Sequence, residues 1–273
     1  MGRNWSIYKI SAMAVLIVSL LVSIIRIGVV DKNLELDNAG GYFITKNSET
    51  IGFVIFSACF AVTFGVLAFI IGKKANKFID MESSPVVFSS ALCGFMLMAT
   101  GFYYSYLYLT TSDMQASRFI ISIMMILASV MFLYLALAKN GVNKTIIPFM
   151  RLIPALYAIV RLLVDFVEQN SHPGNSAVAY HIISLIMLML FMVYEGKTSF
   201  GVIAMRVYLT VGYLCIFTML VYAVPNLVIT IENPSLDKYI LFSAVDIVLA
   251  LYVFSRTYSV ARGENENGNG NGN

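Results

Sequence analysis

Long apolar runs fill nearly the whole chain, separated by short polar breaks. Eight have the length of a bilayer crossing: about 8–30, 51–71, 84–109, 118–138, 146–167, 177–194, 203–224 and 238–258. A membrane helix needs about 20 mainly apolar residues. The strict alternation of an outer-membrane barrel strand is absent, so the runs read as helices. The first run is too long for a signal-peptide core, and no small-x-small cleavage site precedes Asp31. It reads as an uncleaved anchor. The breaks are too short to fold as a separate soluble domain. The expected fold class is an all-α polytopic bundle of eight transmembrane helices, one domain over residues 1–262. A Gly/Asn-rich tail, 263–273, is expected to be disordered.

Positive charge orients the runs. One set of flanks carries twelve basic residues, among them Lys9, Lys73, Lys74, Lys77, Arg151, Lys197, Arg206 and Arg256. The other set carries four: Lys32, Lys46, Arg118 and Lys238. The positive-inside rule then places both termini in the cytoplasm, which an even number of spans requires. The sequons at Asn4 and Asn143 fall on the predicted inner side, where glycosylation does not reach them.

Composition agrees. Apolar types make up 59% of the 273 residues and charged types 12%, against about 25% charged in a soluble domain. A net charge of +3 without a basic cluster gives no footprint for nucleic acid. The three cysteines, Cys59, Cys93 and Cys215, lie inside apolar runs and read as small core hydrophobes. Two histidines, His172 and His181, are too few for a His-rich metal or haem site. No cofactor and no metal is expected. HExxH, GxSxG, P-loop, voltage-sensor and potassium-filter patterns are all missing.

The two halves share features. Arg26 then Asp31 close the first run, and Arg161 then Asp165 close the fifth. Gly72-Lys73 follows the second run, and Gly196-Lys197 the sixth. Arg118-Phe119 opens the fourth, and Lys238-Tyr239 the eighth. This pattern is what a 4+4 parallel repeat would leave, and it is also what helix ends in general draw on.

Charge at membrane depth is costly, so each such group is a candidate for a site. In the fifth run Arg151, Pro154, Ala158, Arg161 and Asp165 step by 3, 4, 3 and 4 and share one broad face. Arg161 and Asp165 can meet directly as an i,i+4 pair. Pro154 frees the carbonyl of Met150, a place for a bend. In the sixth run His181, Ser184, Leu188 and Glu195 share a face, with Glu195 expected to be solvated at the inner end. Asp246 is the deepest carboxylate, and its neighbours Val245, Ile247 and Val248 cannot solvate it. It must be protonated, face water, or pair with Arg161 or Arg26. Tyr103, Tyr104, Tyr106 and Tyr108 crowd the outer half of the third run. Most read as aromatic belt, with Tyr104 a candidate to line a cavity.

The stretch Pro148-Phe149-Met150-Arg151-Leu152-Ile153-Pro154 through Leu163 resembles segments of multi-pass proteins of unknown function from Gram-positive anaerobes. That resemblance implies no activity and no residue role.

The expected function is a small-molecule transporter or binding protein in the cell membrane, with a polar cavity opening outward. Arg161 would hold an anionic ligand group, Asp165 would orient it, and His181, Asp246, Arg26 and Tyr104 would line the site. Two other classes fit the same pattern. One is a sensory or assembly module acting through protein partners, with these groups facing different sides. The other is an intramembrane lipid-modifying enzyme with Asp246 and His181 as acid and base. Oligomeric state is not legible in the sequence.

Overall fold

The computed structural model describes residues 7–36, 42–44, 47–73, 75, 83–111, 115–137, 147–169, 176–200, 204–232 and 240–260. His172, Lys238, Tyr239, both sequons and the tail 263–273 lie outside the described residues. Nine helices are described: α1 (Ile7–Asn33), α2 (Ser48–Gly72), α3 (Ser84–Thr110), α4 (Ala116–Leu137), α5 (Ile147–Met150), α6 (Leu152–Gln169), α7 (Ser176–Ser199), α8 (Met205–Glu232) and α9 (Ile240–Tyr258). A hairpin of β1 (Leu34–Leu36) and β2 (Tyr42–Ile44) joins α1 to α2, with Leu34 opposite Ile44. The runs read from the sequence are therefore helices, and the protein is an α-helical multi-pass membrane bundle.

Seven of these helices are long and apolar enough to cross a membrane. The fifth run divides. Pro154 sits in the first turn of α6 and has no N–H for the carbonyl of Met150. The chain turns at Arg151, between α5 and α6. α6 then packs Arg161, Asp165 and Glu168 into 18 residues. Those three charges, more than its length, set it apart from the other seven.

Proline has the opposite outcome in α8. The sequence pattern ends the seventh run at 224, just before Pro225, but α8 continues through Pro225 to Glu232. Helix ends follow ordinary capping rules elsewhere. Asn47 and Thr50 form a capping box at the start of α2. Pro85 opens α3, where a missing N–H is harmless.

Six helices pack as a closed ring: α3 on α4, α4 on α6, α6 on α7, α7 on α8, α8 on α9, and α9 back on α3. α1 and α2 lie outside this ring against α8. Burial agrees with that arrangement. The most apolar window of α8 and of α9 is 67% buried, that of α2 only 22%. The outward faces carry Ile24, Ile55, Val62, Phe69, Phe95 and Phe102. Apolar side chains there meet lipid at no cost.

Small residues let the closest pair approach. Gly94 and Gly101 are seven apart, on one face of α3. A Cβ on Gly101 would stand 2.9 Å from the carbonyl oxygen of Ser122 in α4. A Cβ on Gly94 would stand 2.6 Å from Leu133. Backbone contact of this kind is how membrane helices gain packing without a hydrophobic driving force.

Candidate functional site

Four helices of the ring send charged side chains to one place near one end. Arg161 (α6) grips Asp246 (α9) with both terminal nitrogens, Nη1 to Oδ1 at 2.5 Å and Nη2 to Oδ2 at 2.8 Å. Its Nη1 also donates to the Tyr157 hydroxyl one turn earlier, at 3.1 Å. Its Nε faces Asp165 Oδ2 at 3.4 Å, the i,i+4 pair that the spacing predicts. Asp165 is the hub. Its Oδ1 accepts from Arg118 Nη1 (α4) at 2.7 Å, and its Oδ2 lies 2.7 Å from His181 Nε2 (α7). Arg118 also pairs with Glu168, and Ser117 donates to Glu168 at 2.7 Å.

The chain direction explains the convergence. Arg118, His181 and Asp246 stand near the starts of α4, α7 and α9, and Asp165 near the end of α6. Antiparallel neighbours bring these levels together. Arg161, Asp165, His181 and Asp246 are each at most 3% exposed. Charges so far from water stay ionised only when paired, and the bidentate fork is the strongest pairing a guanidinium makes. Phe242 lies under two of the cations, 5.0 Å from Arg161 and 5.8 Å from Arg118. Tyr104 stacks flat on Phe242, with centroids 4.9 Å apart.

A second cluster occupies the other end of the same ring. Glu195 (α7) is completely buried, contrary to the solvated position expected from the sequence. Arg256 Nη2 (α9) stands 2.7 Å from its Oε1, and Arg151 Nη1 stands 3.3 Å from the same oxygen. The Tyr208 hydroxyl donates to Oε2 at 2.7 Å, and the Tyr252 hydroxyl to Oε1 at 3.5 Å. The sequence pattern counts Arg151 and Arg256 among the inner flanking charges. Both are buried instead, at 1% and 0% exposure. Glu195 draws them inward, because it lies on the face of α7 that the spacing places with His181.

The sequence candidates thus divide. Arg161, Asp165, His181 and Asp246 come together. Tyr104 is buried and one aromatic layer removed from them, whereas Tyr103 and Tyr106 are exposed like a lipid-facing belt. Arg26 stands elsewhere, between α1, α7 and α8. Its Nη1 donates to the Val221 carbonyl at 2.5 Å, and its guanidinium covers the Tyr180 ring at 4.1 Å. The cavity beside it, lined by Val30, Ile44, Thr50 and Phe53 among others, has about 10 Å³ of free space. That is about the room of a single water. Arg118 and Glu168 join the network from positions the sequence assigns to a flank and an outer loop. Their signal was present: Arg118 stands at the threshold of an apolar run.

Among the described residues no cluster of three or more His, Cys, Asp or Glu could hold a metal ion. No family model matches the chain, and neither does any curated protein or solved structure.

Proposed function

We propose that this membrane protein is a small-molecule transporter that opens alternately at its two ends. One observation carries the reading. α7 and α9, and α6 together with Arg151 just before it, run between two buried charge clusters at opposite ends of the ring. Asp246 and Arg256 are ten residues apart on α9, and His181 and Glu195 are fourteen apart on α7. At about 1.5 Å per residue the clusters lie roughly 15–21 Å apart along the helices. Between them stand buried apolar residues, Ala158, Leu185, Leu188 and Leu249. Two bistable ion-pair locks around a common interior are the arrangement that alternating access needs. In this reading the structure is the closed form, with both locks shut. The excess of Lys and Arg flanks supports a cell-membrane orientation with the termini and the Glu195 cluster on the cytoplasmic side.

Arg161 is not a vacant receptor for an anion in this form, because Asp246 occupies its two terminal nitrogens. Its role becomes that of a latch. The enzyme alternative lacks its acid–base pair: His181 is bonded to Asp165, and Asp246 is held by Arg161. The assembly-module alternative draws on the same closed pairing, since a static lock would have identical contacts.

Labelling separates the two. Leu188, fully buried between the clusters, is replaced by cysteine after Cys59, Cys93 and Cys215 are changed to alanine. A membrane-impermeant thiol reagent is then added to either side of sealed vesicles. The transport reading expects Asp246→Asn to expose position 188 from one side and Glu195→Gln to expose it from the other. Protection in both variants would establish a static bundle and remove the transport reading.

A further inference from the structure

Arg161 has both terminal nitrogens bonded to Asp246, but the opposite end holds a guanidinium with a terminal nitrogen left over. Arg256 is fully buried, and among the described residues its Nε and Nη1 have no hydrogen-bond partner. Its Nη2 is paired with Glu195 Oε1 at 2.7 Å, which leaves the other two nitrogens. Three N–H donors, one on Nε and two on Nη1, are therefore hidden from water with no acceptor among the described residues. Native interiors leave very few donors in this condition, and an unmet buried group calls for an explanation such as an absent ligand. The surroundings fit one. Arg151, Tyr208 and Tyr252 converge with Arg256 on a single carboxylate, Glu195.

We propose that the Arg256 cluster is an anion-binding site that accepts a small oxyanion, a carboxylate or phosphate group. The planar fork of arginine matches both, and paired oxygens would meet the donors that Glu195 leaves unmet. Glu195 holds the place of the ligand in the closed form, as an internal carboxylate that the incoming anion displaces. This proposed site, at Arg256 on α9, stands at the opposite end of the ring from the Arg161 position expected from the sequence. This deepens the transport reading by naming a substrate class, and it rests on that reading for its purpose. Binding itself can be measured without transport.

The decisive variant is Glu195→Gln, which removes the competing charge and keeps the shape. Thermal stability of the purified full chain is followed against sodium phosphate and sodium succinate, with sodium chloride at matched ionic strength. Wild type is expected to be stabilised by phosphate or succinate beyond chloride. Glu195→Gln should bind about tenfold tighter, the scale of one charge-assisted hydrogen bond. Arg256→Lys should weaken the effect. No stabilisation of either wild type or Glu195→Gln by the anionic salts or by phosphatidic acid would overturn the site. So would equal stabilisation of wild type and Arg256→Lys. Should Arg256→Lys fail to fold, the direction of the Glu195→Gln change decides alone. A parallel series in nanodiscs of phosphatidylcholine with and without phosphatidic acid identifies the source. Stabilisation by the anionic lipid alone assigns the site to a headgroup, and stabilisation by the free salts assigns it to a solute. Anion binding with a protected position 188 would keep the site and discard the transport reading.

Discussion

Arg26 donates from Nη1 to the carbonyl oxygen of Val221, 2.5 Å away, and Val221 stands four residues before Pro225. In an unbroken helix that carbonyl would accept from the backbone N–H of residue 225, which proline lacks. The arginine of α1 therefore supplies the donor that α8 is missing. A charge at membrane depth is explained here by a backbone defect on another helix, without a ligand.

The relationship predicts a coupling. Arg26→Met should destabilise the protein by about 2–3 kcal/mol, the cost of leaving a buried carbonyl unmet next to a lost charged hydrogen bond. In a Pro225→Ala background the N–H returns, and the same change should cost at least ~1 kcal/mol less. Denaturant unfolding of the four proteins of this cycle measures the difference. Equal costs in both backgrounds would mean that Arg26 serves Tyr180 and not the carbonyl.

The latch makes a sharper prediction. Asp246→Asn leaves the Arg161 charge buried without its bidentate partner and should cost about 3–5 kcal/mol. Replacing both members, as Arg161→Met with Asp246→Leu, removes the stranded charge and should recover most of that loss. A double variant no more stable than Asp246→Asn would show that Asp165 and Tyr157, and not the latch, dominate the energetics around Arg161.

Much of this arrangement was legible in the sequence, for a simple physical reason. Helical spacing fixes faces, so 151, 154, 158, 161 and 165 had to lie together, and so had 181, 184, 188 and 195. All of these are buried. The choice between Arg161 and Arg26 as partner for Asp246 was open, because depth along a helix says nothing about which helices touch. The ring order decides it. The same gap hid the second cluster. Arg151, Glu195 and Arg256 read as end charges because each stands near a helix terminus, where water is the default partner. Only the fold shows that three termini meet at one buried point. Pro225 lies just past the end of the seventh run in the sequence and leaves a carbonyl without its backbone donor inside a continuous helix in the structure.

Close packing of α3 on α4 gives a contrast between two glycines. Gly101→Ala places a methyl 2.9 Å from the Ser122 carbonyl oxygen, which belongs to the backbone and cannot rotate away. The helices must part, at a cost of about 1–3 kcal/mol. Gly52→Ala meets nothing within 4 Å on α2. It should be neutral or add up to ~1 kcal/mol through helix propensity. Thermal unfolding of the two variants should therefore move in different directions. Equal shifts would place the α3–α4 contact elsewhere than at Gly101.

His181 offers the most direct reading of the network, because only one other histidine, His172, shares the chain. Its Nε2 stands 2.7 Å from Asp165 Oδ2, while its buried Nδ1 has no hydrogen-bond partner among the described residues. A carboxylate already drawn on by Arg118 and Arg161 can only accept, so the proton belongs on Nε2. In the neutral ring the Nε2–H tautomer should then dominate, leaving the lone pair on Nδ1; the imidazole packs against the Tyr222 ring with centroids 4.5 Å apart. Nitrogen NMR of ¹⁵N-histidine-labelled protein at alkaline pH, assigned with His172→Gln, reports the tautomer directly. Replacing Asp165 with asparagine offers the ring an N–H as well as an oxygen, which removes the preference and should shift the population toward Nδ1–H. A ring that keeps Nδ1–H in the wild type would place a lone pair against the Asp165 carboxylate, and the hub drawn here would come apart at its α7 contact.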